Sequence, residues 1–416
     1  MQSNYKRIGD YIRLVDERNN GLKVKTLLGL SITKQFIPSV ANIIGTDMEN
    51  YKIIRKNQFA CSIMQVRRDK KMPVALLKQI DEAIISQAYP VFEVIDNNVL
   101  LPDYLMMWFT RSEFDREACF NAVGGVRGSL EWEDFCNMKL PIPNIDKQFE
   151  IIKEYETIVN HIKLNDQLCQ KLEETAQAIY KEWFVDFEFP HEKGKKYKSN
   201  GREMEASLEL GTEIPKGWRV GMLNDVIDLI ISHRGKSKSI MELHPKDSKH
   251  IYPVISAMNV SGGSIVKHNT IKYADVNTFN DWMAEPLAIS DVIMTSEAPL
   301  GELFFISKRT KYILSQRLFA IRVNKIKCRG VFLYFWLQTV IAKKDLEGRA
   351  TGTTVLGIKL SELKKLILLQ PTINIIENFE KTVQGIMNLL EVKRNENELL
   401  NEFKNFLLSK LAIIEN

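Results

Sequence analysis

The sequence predicts an α+β protein in which two mixed α/β domains are separated by two long antiparallel coiled-coil helices, as a pseudo-twofold tandem repeat. Two observations carry this prediction. The glycine-containing stretch 124–130, followed by Pro143, returns as 352–358, followed by Pro371, at a constant offset of 228 residues. After each stretch, a seam with the 3.5-residue period of a coiled coil begins. A repeat this long is a duplicated domain with its connecting helix, because solenoid units span about 20–50 residues.

The repeat divides the 416 residues into five predicted segments. These are a first domain at 1–143, a first long helix at 144–190, an exposed connector at 191–216, a second domain at 217–371 and a last long helix at 372–416. The connector is predicted from its Lys/Glu/Gly-rich composition, which is typical of linkers.

In each domain, several strand-like runs precede a single helical segment. The runs are 51–54 and 90–95 in the first domain, and 252–255, 291–295, 303–306 and 319–323 in the second. The helical segments are 102–120 and 331–346. Asp146 is the predicted N-cap of the first long helix, because an Asp side chain accepts hydrogen bonds from the unpaired first N–H groups.

The two long helices have seams that match each other. The seam of the first contains Tyr155, Ile158, Ile162, Asn165, Cys169, Leu172, Ala176, Ile179 and Trp183; that of the second contains Phe379, Val383, Ile386, Leu390, Lys393, Asn397, Leu400, Lys404, Leu407 and Leu411. Each helix of about 40 residues would be ~60 Å long at 1.5 Å per residue. Polar residues lie at the centre of both seams, where they fix register. We therefore expect the helices to pair with each other, antiparallel; the alternative is two separate helices, each packed on its own domain.

A second apolar stripe follows the last helix outside its seam, at Leu389, Val392, Leu399, Phe403, Phe406 and Ile413. One pairing seam does not use these residues. Packing on a globular domain is the more frequent outcome for such a stripe, and docking of a partner protein is the alternative.

The net charge of +5 is unevenly distributed. Residues 217–371 carry +9 and residues 1–143 carry +2, whereas the helical segments 144–190 and 372–416 carry −5 and −2. Polyanion binding requires a concentrated positive face, so the two domains are the candidates. The alternative is an ordinary solvated surface rich in lysine.

Composition excludes several other classes. No apolar run reaches the ~18 residues of a membrane span, and residues 1–5 lack an apolar signal core, so a cytoplasmic protein is expected. The five cysteines are scattered and form no CxxC pair, which argues against a disulfide framework and a thiolate metal site.

Known catalytic motifs are missing from the sequence. Gly235-Lys236-Ser237 imitates the end of a phosphate-binding loop, but Ile230 occupies the first glycine position. The histidines have no zinc-binding spacing, and neither a Gly-x-Ser-x-Gly elbow nor an Asn/Asp-Pro-Pro-aromatic methyltransferase element is present. We therefore predict a binding protein with no catalytic or metal-ligating residues of its own.

Clustered basic residues are the candidate contacts with DNA. Arginine pairs bidentately with guanine in the major groove, whereas lysine mainly neutralises phosphate. The candidates are Lys34, Arg67, Arg68, Lys70, Lys71 and Arg127 in the first domain, and Arg234, Lys236, Lys238, Arg309, Lys311 and Arg349 in the second. Gln35 and Asn42 are further candidates, because an amide side chain pairs with adenine. Individually, each could also be an ordinary solvated side chain.

Three junction segments resemble those of one protein family. They are Trp183-Phe184-Val185-Asp186-Phe187 after the first helix, residues 211–218 (Gly-Thr-Glu-Ile-Pro-Lys-Gly-Trp) before the second domain, and Leu140-Pro141-Ile142-Pro143 before the first helix. With the layout of domain, helix, domain, helix, they resemble the specificity subunit of type I restriction-modification systems. Residues 32–39, 42–47 and 68–71 are similar to one recurring subtype of that family's target-recognition domains.

This resemblance implies a function without catalysis. Each target-recognition domain would recognise one half of a split sequence in double-stranded DNA. The paired helices would set the spacer and dock two methyltransferase subunits, through which restriction/translocase subunits join. S-adenosylmethionine, ATP and Mg are then expected on those partners and not on this chain. Because the second domain lacks the pattern of residues 34–47, the target is expected to be asymmetric.

Three other functions remain open from the sequence alone. The chain could be a stand-alone nuclease or methyltransferase with unrecognised motifs, the specificity subunit of a related restriction system that is not type I, or a protein-interaction scaffold. Activity of the isolated chain on DNA would indicate the first, and lack of sequence-specific DNA binding would indicate the last.

Overall fold

The computed structural model describes residues 5–39, 46–125, 128–235 and 251–413, apart from the side chain of Lys193. The chain forms two compact units. Unit 1 contains Met1–Asp166 and Asn395–Asn416, and unit 2 contains Gln167–Arg394. Each of the two long helices therefore contributes residues to both units.

Unit 1 is a mixed domain of short strands followed by helices. Its strands are β1 Tyr5–Arg7, β2 Ile12–Val15, β3 Leu28–Leu30, β4 Phe36–Pro38, β5 Lys52–Arg55, β6 Phe59–Cys61, β7 Val74–Leu76, β8 Glu82–Ile85, β9 Val91–Val94 and β10 Lys139–Pro141. Its helices are α1 Val66–Asp69, α2 Pro102–Thr110, α3 Ser112–Asn121, α4 Trp132–Asn137 and the first part of α5 Ile145–Phe184.

An antiparallel sheet in the order β2-β9-β6-β7 forms the centre of unit 1. Its register sets Phe59 opposite both Phe92 and Leu76. Strands β5 and β8 pair antiparallel, and β1 pairs with β10, the strand that leads into α5.

Unit 2 is also a mixed domain, with more strands than unit 1. Its strands are β11 Met204–Ser207, β12 Thr212–Pro215, β13 Arg219–Met222, β14 Ile227–Ser232, β15 Tyr252–Ile255, β16 Val260–Ser261, β17 Ser264–Ile265, β18 Lys272–Ala274, β19 Val292–Thr295, β20 Leu303–Phe305, β21 Ile313–Leu314, β22 Leu318–Val323 and β23 Ile367–Gln370. Its helices are α6 Val276–Trp282, α7 Gly330–Trp336, α8 Val340–Arg349, α9 Leu360–Leu363 and most of α10 Ile373–Lys410.

The predicted tandem repeat is confirmed by the sheets. The antiparallel sheet of unit 2 runs β14-β22-β19-β20, in which each strand corresponds to its counterpart in β2-β9-β6-β7. The pair β13–β23 likewise corresponds to β1–β10. The units differ at the second sheet, because β15 pairs parallel with β21 whereas β5 pairs antiparallel with β8.

Both helical segments predicted inside the domains are interrupted. Segment 102–120 divides into α2 and α3 because Arg111 has an extended backbone, with φ −68° and ψ 143°. Segment 331–346 divides into α7 and α8 at Thr339, whose hydroxyl accepts a hydrogen bond from Ala342 N at 3.2 Å and so caps α8. Asn144, not Asp146, caps α5, since Asn144 Oδ1 accepts from Lys147 N at 2.9 Å.

The connector 191–216 contains structure that its composition does not indicate. Strands β11 and β12 form a hairpin. Before the hairpin, Tyr197 stacks on Phe189 at 4.6 Å between ring centroids, and Phe189 stacks on Trp218 at 5.1 Å. These aromatic contacts attach the connector to unit 2.

Aromatic side chains fill the core of unit 1. Phe59, Phe92 and Phe109 are fully buried. Phe59 stacks on Phe92 at 5.0 Å, and Phe109 from α2 meets both rings edge-on at 5.9 and 6.2 Å. Each such burial contributes about 1.5–3 kcal/mol, so this cluster attaches α2 to the central sheet.

In unit 2, the segments 183–187 and 211–218 meet in one aromatic cluster. Phe184 and Phe187 lie 5.9 and 5.8 Å from the Trp218 ring. Phe379 of α10 contacts Trp183 at 5.9 Å and Phe184 at 5.1 Å. Two of the three junction segments that carry the family resemblance therefore join the end of α5, the entry to the second domain and the start of α10.

The antiparallel pairing of α5 with α10 is confirmed within each unit. In unit 1, Asn165 Nδ2 donates to Asn397 Oδ1 at 3.0 Å, and Leu411, directly after the end of α10, packs in the same core as the earlier α5 residue Tyr155. In unit 2, Glu173 contacts Arg394, and Tyr180, later in α5, contacts the earlier α10 residue Phe379 at 5.7 Å.

The predicted seam positions face the helix partner or core in both helices. All of them are buried or half-buried, including the polar Asn165, which is 3% exposed. Lys404 is a half-buried seam residue that donates to Asn401 Oδ1 at 2.8 Å, and burial lowers the pKa of its ammonium group. Among the described residues, no helix combines the length and hydropathy that a membrane span needs.

Candidate nucleic-acid interface

A glycine loop in unit 1 is closed at its base and attached to the central sheet. Val123 and Ser129 form an antiparallel bridge, with N–H···O distances of 2.9 and 2.8 Å. Leu130 N then donates to Ile63 O, just beyond β6, at 2.9 Å. Gly124 has a φ of +93°, a conformation that glycine adopts without strain. The loop is therefore presented from a rigid base, as a recognition loop requires.

Arg67 joins this loop to the basic run 67–71. Its guanidinium donates from Nη2 to Ala122 O at 2.5 Å and from Nη1 to Gly124 O at 3.1 Å. A side chain at Gly128 would place a Cβ 2.7 Å from Arg67 Cβ, so the close approach requires glycine. Two segments that are far apart in the sequence thus form one surface.

The other predicted residues of the run are exposed. Arg68 forms an ion pair with its neighbour Asp69 at 2.6 Å, and Lys70 and Lys71 project from the end of α1. Gln65 and Lys70, at either end of α1, both have a left-handed backbone, with φ of +61° and +52°. The run is therefore a tight exposed turn that concentrates positive charge beside the glycine loop.

The structure places Lys34 away from this surface. Its side chain is only 7% exposed, and its Nζ lies 2.8 Å from Asp115 Oδ1. The prediction that Lys34 contacts DNA needs correction, because the charge is neutralised inside unit 1. The sequence contains no sign of this, since Asp115 lies 81 positions away. Arg127 and Asn42 lie outside the described residues.

Unit 2 contains the equivalent glycine loop. Thr351 and Gly357 form the bridge at its base, with N–H···O distances of 2.8 and 3.0 Å. Ile358 N donates to Ser296 O, just beyond β19, at 2.9 Å. The loop therefore leaves the same place in the repeat as its counterpart in unit 1.

A carboxylate holds two arginines beside the second loop. Glu297 lies 2.8 Å from Arg317 Nε and 3.4 Å from Arg234 Nη2, and it bridges to Gly357 through the backbone. Arg234 Nη1 also donates to Ile358 O at 2.6 Å. Arg234 was predicted as a candidate, whereas Glu297 and Arg317 were missed. Ser-Gln occurs at 86–87 in the first domain and again at 315–316, directly before Arg317, at an offset of 229 residues. This recurrence marks the segment of Arg317 as part of the repeat.

The remaining candidates of unit 2 are not gathered at one point. Arg349 is half-buried, and its Nε lies 2.8 Å from Asp345 Oδ1 on the same helix. Arg309 is exposed, and Lys311 Nζ lies 5.6 Å from the centre of the Tyr252 ring. Lys236 and Lys238 lie outside the described residues. That any of these residues contacts DNA stays a prediction.

No metal centre is found in the part of the chain that the structure describes. There, no group of three or more His, Cys, Asp or Glu side chains is arranged to hold an ion. None of the five cysteines, which are Cys61, Cys119, Cys136, Cys169 and Cys328, forms a disulfide bond.

The last helix presents an apolar surface in unit 1. Leu399, Phe403, Phe406 and Ile413 are between 50% and 74% exposed. Phe403 and Phe406 stack at 6.5 Å, with Lys410 Nζ 4.5 Å from the Phe406 ring. Leu389 and Val392, in unit 2, are also exposed. Of the two outcomes considered for this stripe, packing on a domain of the same chain is therefore wrong.

Comparison with known proteins identifies one family. The model of the type I restriction modification DNA specificity domain matches residues 34–174 and 215–402. The type I restriction enzyme HindI specificity subunit of Haemophilus influenzae is 22% identical over 421 residues, which cover 89% of each chain. The type I restriction enzyme MjaIX specificity subunit of Methanocaldococcus jannaschii is 21% identical over 333 residues, covering 77% of this chain and 71% of that protein.

A solved structure has the same fold. The crystal structure of the type I restriction-modification system S subunit from M. genitalium matches with a TM-score of 0.55 at 13% identity, over 99% of this chain and 96% of the other. At this identity the likeness concerns the fold alone.

Proposed function

The chain belongs to the family of type I restriction-modification DNA specificity proteins, and we propose that it recognises a bipartite, asymmetric sequence in double-stranded DNA for such a system. One observation carries the proposal. Each unit presents a glycine loop from the end of an equivalent central strand, and an arginine donates a hydrogen bond to a backbone oxygen at the base of that loop or beside it. The arginine is Arg67 in unit 1 and Arg234 in unit 2. Two such sites suit the recognition of two half-sites.

The proposed asymmetry rests on differences between the units. The second sheet is an antiparallel pair in unit 1, whereas in unit 2 it is mixed, because β15 pairs antiparallel with β18 and parallel with β21. The loop neighbours also differ. In unit 2, one carboxylate, Glu297, pairs with both Arg234 and Arg317 beside the loop. In unit 1, Arg67 donates to the backbone oxygens of Ala122 and Gly124. Side chains that approach base edges from different supports would select different bases.

We further propose that the exposed apolar residues of α10 dock methyltransferase subunits. Phe403 and Phe406 form a paired aromatic surface beside the seam, and aromatic anchors commonly dominate protein interfaces. Two methyltransferase subunits are expected, with restriction/translocase subunits joining through them. Since this chain has no recognised catalytic motif, S-adenosylmethionine, ATP and Mg would be bound by those partners.

Selection from a pool of random DNA duplexes tests the proposal. The chain is combined with the methyltransferase of its own system, and bound duplexes are sequenced. We expect two different short conserved sequences separated by an unspecified spacer of fixed length. One continuous motif, or no motif, would contradict the proposal. DNA cleavage or methylation by the isolated chain, with Mg²⁺ or S-adenosylmethionine added, would instead favour a stand-alone enzyme.

A further inference from the structure

The turn of the β3–β4 hairpin in unit 1 sends a lysine into the interior. Ser31 N donates to Gln35 O at 2.9 Å and Lys34 N to Ser31 O at 3.0 Å, which closes the turn. Lys34 itself has a left-handed φ of +63°. Its neighbours Thr33 and Gln35 are exposed. The buried Lys34 side chain therefore anchors the exposed turn of a hairpin whose strands pack on the core through Leu28, Leu30 and Phe36.

The lysine is held by groups from helices α2 and α3. Lys34 Nζ donates to the backbone oxygen of Phe109 and lies 2.8 Å from Asp115 Oδ1. It also lies 5.1 Å from the centre of the Phe114 ring. Burial lowers the pKa of Lys34, and the facing charge of Asp115 partly offsets that effect.

The same carboxylate oxygen holds the basic run. Asp115 Oδ1 accepts a hydrogen bond from Met72 N at 3.1 Å, and Met72 directly follows Lys71. One oxygen of a nearly buried side chain thus joins the β3–β4 hairpin, the basic run 67–71 and helix α3. This oxygen therefore links the turn of the hairpin to the end of the basic run.

Stability alone does not explain such a pair. A buried ion pair loses much of its attraction to desolvation, and well-packed apolar residues of similar size serve a core equally well. The better supported role of a buried polar group is to select one arrangement among several. Here the arrangement is that of the hairpin relative to the basic run.

We infer that Lys34 and Asp115 form a positioning clamp that sets the sequence preference of unit 1 without touching DNA. The inference rests on the proposed function. Gln35 lies at the hairpin turn and Arg68 lies in the basic run. The clamp fixes the positions of these two side chains relative to each other, so that both approach the same half-site. Losing it would leave unit 1 folded and able to bind phosphates, but with its base contacts poorly aligned.

The test compares K34M, D115N and the double variant K34M/D115L, each combined with the methyltransferase of its system. The preference for each base pair is measured by selection from random duplexes, and thermal unfolding is followed in parallel. The double variant removes both charges and keeps apolar bulk, so we expect it to fold. Its thermal midpoint is expected to fall modestly, because Met72 N loses the carboxylate that accepts its hydrogen bond. We expect all three variants to lose about ten-fold or more of the preference for matched base pairs in one half-site, which corresponds to one lost base contact.

The other half-site and the spacer are expected to stay unchanged. K25M is the matched control, because Lys25 is exposed shortly before the same hairpin. A folded double variant with wild-type preferences, or equal losses at both half-sites, would overturn the clamp. If the wild-type complex shows no bipartite motif, the proposed function fails and the clamp fails with it.

Discussion

At the scale of single residues, most of the predicted basic side chains that can be located are engaged within the protein. Arg67 bonds to two backbone carbonyls, Arg234 to one, and Arg349 to Asp345. Composition predicts which residues are basic, and clustering indicates where they concentrate. The acceptor of each cation cannot be predicted in this way, because acceptors such as Ala122 O and Glu297 come from distant segments brought near by the fold.

Arg67→Ala tests the role of the anchored glycine loop. The variant loses the hydrogen bonds to Ala122 O and Gly124 O, and bonds from a charged donor contribute about 1.5–3 kcal/mol each. We expect specific DNA binding to weaken by at least about ten-fold, with a smaller effect on non-specific binding, as measured by titration of the complex with matched and scrambled duplexes. Lys25→Ala removes the same charge from an exposed site and is the control. Equal losses in the two variants would show that only net charge matters.

Glu297→Gln tests the acidic residue of the second loop. Removing a negative charge from a DNA-binding surface would strengthen binding if only net charge counted. We expect weaker specific binding instead, because Arg234 and Arg317 lose the group that orients them. Titration at several salt concentrations separates the two effects. Tighter specific binding by this variant would show that Glu297 has no orienting role.

At the scale of elements, the two long helices were the most predictable feature. A 3.5-residue period sustained over about 40 residues is typical of a coiled-coil helix and of no other regular structure. The seam residues are accordingly buried or half-buried. The interruptions at Arg111 and Thr339 were missed, because neither residue is a Pro or Gly that would mark a helix boundary. The hairpin in the connector was missed because its composition is also that of a flexible linker.

The hydrogen bond between Asn165 and Asn397 predicts that substitutions at these two positions have strongly non-additive effects on stability. Asn165→Leu removes the donor to Asn397 Oδ1, while Asn397 Nδ2 keeps its bond to Asp166 Oδ1 at 2.7 Å. An unpaired oxygen costs about 1–3 kcal/mol when it is buried, and less at this half-buried position. Asn165→Leu/Asn397→Leu is expected to recover most of that loss, since both polar groups are gone. Hydrogen exchange in residues 395–410 measures the local stability. If the double variant lost as much protection as the sum of the two single variants, the two side chains would be independent.

The aromatic surface of α10 predicts a separable docking defect. Phe403→Ser/Phe406→Ser removes exposed side chains, so we expect unchanged thermal unfolding of the chain and at least about ten-fold weaker binding of the methyltransferase. Co-purification and titration measure the binding. Asn405→Ser, an exposed position about 100° away around the same helix, is the control. Full binding by the double Phe variant would exclude this surface as the docking site.

At the scale of the whole molecule, the repeat was predictable because the same spacing of glycines, prolines and apolar seams occurs twice. The division into two compact units that each include part of both helices was not predicted. It depends on contacts such as Asn165 with Asn397, which are more than 200 residues apart. The positive charge of the two domains includes an arginine beside the glycine loop of each unit, which is where the proposed DNA contacts lie.

Removing one heptad from both α5 and α10 tests the proposed separation of functions. The deletion preserves the seam period and shortens each helix by about 10 Å. We expect a changed spacer length in the recognised DNA and unchanged half-site sequences, because the glycine loops and their supports are intact. Selection from random duplexes measures both properties at once. Altered half-sites in this variant would mean that the helices take part in base recognition.

Methylome sequencing of cells that carry this chain with the methyltransferase of its system tests the central claim most directly. The account predicts methylation at one bipartite motif with two different halves and a fixed spacer, which disappears when the gene for this chain is removed. Methylation that persists without this chain, or that follows a single continuous motif, would contradict the claim that its two units select the DNA target.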